Sequence, residues 1–232
     1  MQTPYSELKE LAYLANMEIL QQKLAIYTFG NASAFDAEKA VLAIKPSGVA
    51  YKQLSANDIV VVDLDGNIVE GDLRPSSDTK THIILYRRFT GIGGIVHTHS
   101  PYATGWAQTS SAIPIYGTTH ADFLTEDIPC AELLDAESVA GDYEIATGNQ
   151  IINCFQTRNY LHTPMVLVAG HGPFTWGETA AKAVYHAAVL EELAKMAFIT
   201  RTLVPQTQRL PEYIIKKHFN RKHGKEAYYG QL

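Results

Sequence analysis

The stretch Gly93-Gly94-Ile95-Val96-His97-Thr98-His99-Ser100 sets two imidazoles two positions apart at the end of an apolar run. A run of this length, with glycines before it and Pro101 behind it, predicts a buried strand. On a strand, residues i and i+2 project from the same face, so His97 and His99 would reach one point. Two imidazoles buried side by side are costly unless something satisfies them. Zinc does so: it takes neutral His nitrogen, and its catalytic sites combine three protein ligands with an open position. The third ligand must come from elsewhere in the chain. His171 in Ala169-Gly170-His171-Gly172-Pro173 is the best candidate, because glycine on both sides clears space beside the ring; His120 and His82 are weaker alternatives.

Around this strand the hydrophobic pattern predicts an amphipathic helix over residues 6–22, where Leu8, Leu11, Ala12, Ala15, Ile19 and Leu20 recur at helical spacing. Strands are predicted over 32–35, 41–44 and 59–64, the last turning through Asp65-Gly66-Asn67 into Ile68 and Val69. Residues 78–88 read as a helix, 102–108 as another behind Pro101, and 113–116 and 164–169 as strands. Two further helices are expected over 178–200 and 212–223. There is no internal repeat and no linker-like change of composition. The prediction is therefore one α/β domain over residues 1–232, a mostly antiparallel central sheet flanked by helices. Gly91-Ile92-Gly93-Gly94 precedes a strand instead of joining strand to helix, which excludes a dinucleotide loop.

Composition narrows the ligand. The 232 residues are 46% hydrophobic and 19% charged, enough to build a core without disulfides or structural metals. A formal charge of -5 offers no electrostatic footprint for nucleic acid or an anionic membrane, so the expected ligand is small. No run approaches the roughly 20 apolar residues of a membrane span, and Glu7, Lys9, Glu10 and Glu18 interrupt the N-terminus where a signal peptide would be apolar. The expected location is the cytoplasm. Cys130 and Cys154 fit no metal-ribbon spacing and are expected to be buried small hydrophobes.

A second constellation is a set of small polar loops: Gly30-Asn31, Ser47-Gly48 and Pro75-Ser76-Ser77-Asp78, the last leading into a predicted helix. Backbone N–H groups at a helix start, together with hydroxyls, suit a phosphate monoester.

The strings GNAS, IKPSGV, PSSDTKTH, GGIVHTHS, GTTHADF, GHGPFTWG and RKHGKEAYYGQ closely resemble the L-ribulose-5-phosphate 4-epimerase group of the class II aldolase and adducin head family, over about residues 14–231. The resemblance implies one zinc ion per subunit on His97, His99 and His171, with Asp78 at the position usually assigned as the carboxylate ligand. It implies that Gly30, Asn31, Ser47, Gly48, Ser76 and Ser77 hold the phosphate and neighbouring substrate oxygens. Asp122 and Tyr229 match the catalytic acid/base pair, the first with a short reach beside the metal and the second on a C-terminal tail. His218 matches a tail residue that approaches the neighbouring subunit's site in a cyclic homotetramer.

The implied reaction interconverts L-ribulose 5-phosphate and D-xylulose 5-phosphate. C4 is not adjacent to the C2 ketone, so removing its hydrogen gives a carbanion that no carbonyl stabilises. Retro-aldol cleavage of C3–C4 avoids this, leaving the enediolate of dihydroxyacetone, stabilised by zinc, and glycolaldehyde phosphate. Re-addition to the opposite aldehyde face then requires proton-transfer groups on two sides. The alternative is a class II sugar-phosphate aldolase of the fuculose-phosphate type, which releases the aldehyde. Asp78, where those aldolases typically carry Glu, and the AYYGQ ending both argue for the epimerase. Retention of all three histidines with Asp122 and Tyr229 argues against a non-catalytic adducin-like head. Tyr27-Thr28-Phe29-Gly30 and Ala169-Gly170-His171 depart from enterobacterial members, which carry Trp before the glycine and His two places before the third ligand. Those departures leave the pathway open.

Overall fold

The computed structural model describes residues 3–224 and Ala227. Its eight strands are β1 Asn31–Asp36, β2 Val41–Ile44, β3 Val60–Asp63, β4 Ile68–Glu70, β5 Gly94–His97, β6 Cys130–Ala131, β7 Met165–Val168 and β8 Gly172–Gly177. The helices are α1 Ser6–Gln21, α2 Thr79–Arg88, α3 Pro101–Gln108, α4 Thr118–Ala121, α5 Ala136–Ala140, α6 Tyr143–Cys154, α7 Ala180–Leu203 and α8 Glu212–His223. One sheet takes the order β4-β3-β2-β1-β5-β8-β7-β6. All neighbours are antiparallel except β6 with β7. The predicted α/β architecture, a mostly antiparallel sheet between helices, is the one formed.

Period-two alternation divides the core. Val41 and Ala43 of β2 join Ala32 and Ala34 of β1 and Val96 of β5 under α1 and α7. Leu42 and Ile44 point the other way, with Ile95, Val166, Phe174 and Trp176, under α2 and α6. Buried Asn16 fastens α1 to the sheet: its amide donates to the Ala32 carbonyl at 2.9 Å, and its side-chain oxygen accepts from the Ala32 N–H at 2.9 Å. In the middle of the sheet, β1 and β5 pair in a register that sets Asn31 opposite His97. On the other side of β5, His97 lies opposite Phe174 of β8.

Three expectations need correction. Residues 113–116 do not form a strand; Ile113 makes a single bridge to Ile128, because Pro114 removes a backbone donor from the run. The histidine strand ends at His97, as Ser100-Pro101 begins α3 and carries the chain away from the sheet. His99 is consequently exposed, not buried beside His97. The two cysteines are half-buried, with burial raising both thiols, Cys130 to about 11. None of the described helices is long and apolar enough to cross a membrane.

Candidate metal centre

At one end of the sheet, β5 delivers His97, the turn into α3 delivers His99, and the turn between β7 and β8 delivers His171. One ligand atom from each lies within 4.8 Å of the other two. His97 Nε2 and His99 Nε2 are 3.0 Å apart. The His97 Nδ1–H donates to the Pro173 carbonyl at 3.0 Å, the tautomer that leaves the Nε2 lone pair facing the cluster. Its ring stacks on Phe174, with centroids 4.3 Å apart.

Burial, reinforced by the neighbouring His97, pushes His171 down to about 4, and partial loss of solvent around the otherwise exposed His99 ring, with His97 beside it, lowers His99 as well. Both are therefore neutral near pH 7, the protonation state that ligates a metal. Three imidazoles converging on one point fit a divalent ion of the zinc class.

Asp78 immediately precedes α2, at the edge of this cluster, and its side chain makes no capping bond to the helix. Burial raises its pKa, but His97, His82 and the amide of Asn31 outweigh that effect and hold it below the usual carboxylate range. Asn31 Nδ2 donates to Asp78 Oδ2 at 2.7 Å and to Ser76 Oγ at 3.1 Å. The three-histidine group does not include Asp78. Asp78 instead shares with the histidines a cleft of about 460 Å³ whose walls also include Gly30, Asn31, Ser47, Gly48, Ser76 and Ser77. Gly30 is required there: its φ is +74°, and a Cβ would lie 2.7 Å from the His97 carbonyl oxygen.

Among the lining residues that sequence reasoning did not assign to the site are Lys45, Tyr143 and Glu144. Lys45 is 2% exposed. Its Nζ lies 3.4 Å from the carbonyls of Thr28 and Pro46 and 5.0 Å from the centre of the Tyr51 ring, and burial lowers its pKa. A charge directly after the apolar run 41–44 and directly before Pro-Ser-Gly was the available signal. Tyr143 Oη stands 3.3 Å from His171 Nδ1.

His82 and His120, the weaker alternatives, are not in the cluster. His82 Nδ1 is 2.8 Å from Ser33 Oγ, and burial takes its pKa to about 3. His120 lies against Pro114 in a separate cavity of about 340 Å³.

Asp122 and His218 meet each other and do not line the histidine cleft, so the expected short reach of Asp122 to the metal does not exist within this chain. The reason is the packing of α8 on α4. His218 Nδ1 is 3.0 Å from Asp122 Oδ1, and Arg221 donates to both carboxylate oxygens at 3.0 and 2.6 Å. Burial raises Asp122, but the bonds from Arg221 and His218 outweigh it and leave the group below its ordinary value. Tyr229 lies outside the described residues.

An L-fuculose 1-phosphate aldolase superposes with a TM-score of 0.78 at 25% identity, over 95% of this chain and 97% of that one. The L-fuculose-1-phosphate aldolase of Thermus thermophilus gives 0.66 at 23%, over 88% and 98%. YgbL of Escherichia coli, whose activity is given only as aldolase/epimerase/decarboxylase, gives 0.74 at 24%, over 94% and 100%. Residues 9–198, most of the chain, match the sequence profile of one family, and the protein therefore belongs to the class II aldolase and adducin N-terminal domain family.

Proposed function

We propose that the protein is a zinc-dependent, cytoplasmic 4-epimerase of L-ribulose 5-phosphate and D-xylulose 5-phosphate, working as a homotetramer with its sites between subunits. One observation carries this reading: His97, His99 and His171 open into the same cleft as Lys45 and the Ser47-Gly48 and Ser76-Ser77 loops. That arrangement provides a place for a metal ion and, beside it, a cationic, hydroxyl-rich place for a phosphate.

His97, His99 and His171 would hold a divalent ion, which would supply Lewis-acid stabilisation for negative charge on the ketone side of the C3–C4 bond. The remaining work falls to the chain. The Ser47-Gly48 and Ser76-Ser77 loops and the Lys45 ammonium hold the phosphate, which keeps glycolaldehyde phosphate in place between cleavage and re-addition. Asn31, fixed against Asp78 and Ser76, orients the ends of the β1 and α2 loops toward the substrate. A base takes the C4 hydroxyl proton as the bond breaks, and an acid on the other side quenches the new alkoxide. Asp122 and Tyr229 are assigned to those roles.

Within one chain Asp122 sits with His218 and Arg221 away from the cleft, and this supports a site completed by a neighbouring subunit. Asp78 in place of Glu, together with the AYYGQ ending, favours epimerisation. The fuculose-phosphate aldolase likeness keeps aldehyde release as the second reading.

The test is a coupled assay of zinc-loaded protein on L-ribulose 5-phosphate, beside L-fuculose 1-phosphate and a chelator-treated control. Metal-dependent formation of D-xylulose 5-phosphate is expected. Aldehyde release from L-fuculose 1-phosphate, with no epimer formed, would move the protein to the second reading.

A further inference from the structure

Two of the clustered imidazoles have an outer nitrogen with a partner. His97 Nδ1 meets the Pro173 carbonyl of β8, and His171 Nδ1 meets the Tyr143 hydroxyl at 3.3 Å. A histidine that ligates a metal through one nitrogen usually gives the proton on the other to a held acceptor, which fixes both tautomer and ring orientation. For His97 the acceptor is backbone in the middle of the sheet. For His171 it is a side chain from a different element, facing a ring that stands in a turn and is only half-buried.

That element is itself anchored. Tyr143 opens α6, and the first turn of α6 is tied to the first turn of α2. Lys80 pairs with Asp142, Thr81 Oγ1 donates to the Glu144 carbonyl at 2.7 Å, and Asp142 caps α6 through the Ile145 N–H. Thr147 Oγ1 closes the turn by donating to the Tyr143 carbonyl at 2.8 Å. The helix start that carries Asp78 on one side of the cleft therefore also sets the height of the phenol beside His171 on the other.

We infer that Tyr143 is a positioning residue of the metal centre. Its oxygen accepts the Nδ1 proton of His171 and so turns the Nε2 lone pair toward His97 and His99. It makes no bond to the ion and transfers no proton to substrate. The inference rests on the three histidines being a metal site, and it is independent of which sugar is turned over.

The experiment uses the full-length protein freed of metal, with zinc affinity read by competition against a chromogenic chelator and the site geometry read from the visible spectrum of bound Co²⁺. Tyr143→Phe is expected to weaken zinc binding about tenfold or more and to change the Co²⁺ bands. The metal-free melting temperature should stay at the wild-type value. Thr81→Val, which loosens α6 from α2 without touching the cleft, should weaken zinc in the same direction by less. Unchanged zinc affinity and an unchanged Co²⁺ spectrum in Tyr143→Phe would overturn the proposal, whatever happens to turnover. If Tyr143→Phe also melts early, Thr81→Val decides: wild-type affinity there overturns the proposal and reduced affinity supports it. Failure of the wild-type chain to bind zinc would instead remove the metal centre itself.

Discussion

Side chains became legible in the sequence where their neighbours left chemical marks. His171 could be picked out because glycine flanks it, and Asn31 because it adjoins Gly30; both line the histidine cleft. Tyr143 left no such mark, since its role depends on α6 meeting α2, a contact between residues some 60 positions apart. Lys45 lies between these cases, and it makes the sharpest prediction at this scale. Among the described residues this buried ammonium is partnered by two carbonyl oxygens and the face of Tyr51, so a bound phosphate would be its first full counter-charge. Lys45→Met should raise KM for the sugar phosphate at least tenfold while zinc stoichiometry stays at wild type. An unchanged KM would exclude Lys45 from the phosphate grip. A second prediction concerns His120. It is 5% exposed, its Nε2 has no partner among the described residues, and burial lowers it from 6.5 to about 4. The unfolded chain takes up this proton near pH 6.5 and the folded chain refuses it until about pH 4. Stability therefore does not depend on this group above that window and falls as the pH drops through it, by about 1.4 kcal/mol per pH unit. Urea unfolding of zinc-free His120→Gln from pH 6.5 downward should show a slope shallower by that amount, and an equal slope would contradict the assignment.

The elements divide by the strength of their local pattern. The predicted spans at 6–22, 41–44 and 212–223 became α1, β2 and α8 within a residue at each end, because each is a continuous periodic run between turn signals. β8 went unread because Gly172-Pro173 looks like a turn, and proline is normally excluded from an inner strand. Pro173 is tolerated near the start of the strand, where its carbonyl accepts from His97 Nδ1. α6 went unread because Thr147-Gly148-Asn149 are poor helix formers, overruled by packing on α2 and the sheet. The start of β8 also yields a prediction. A Cβ on Gly172 would meet the Thr98 carbonyl oxygen at 2.8 Å, and that neighbour is backbone lying between His97 and His99. Gly172→Ala must push the 97–99 segment away from His171. The expected result is a loss of about 1–3 kcal/mol in unfolding free energy together with weaker zinc binding. A variant with wild-type stability and wild-type zinc affinity would show that the β5–β8 approach does not set the metal site.

At the scale of the whole molecule, the residues assigned to the proposed site lie on two surfaces of the chain. The histidine cleft opens at the α2 and α6 face, whereas Asp122, His218 and Arg221 are gathered between α4 and α8. The exposed surface near the end of α7 is apolar: Leu203 is 77% exposed, and Phe198, 53% exposed, lines a groove of about 830 Å³ with Tyr102 and Trp106. Such a surface suits contact between copies. If the proposed cyclic assembly joins the cleft of one subunit to the Asp122 and Tyr229 groups of the next, two individually inactive variants should complement each other. His97→Asn should lose its metal and turnover but keep a sound tail. Tyr229→Phe should keep metal and fold, lose most turnover, and keep a sound cleft. Unfolding and refolding them together at equal amounts allows a subunit with an intact cleft to stand beside one with an intact tail. Random mixing around the ring makes about one site in four complete, so roughly a quarter of wild-type activity should return, whereas each variant refolded alone stays inactive. Sedimentation of the mixture checks that assembly has occurred. Recovery near zero in an assembled mixture would place both halves of each site within a single subunit. Asp122 would then have to leave Arg221 and reach the cleft by a rearrangement of α4 and α8, with no help from its neighbour.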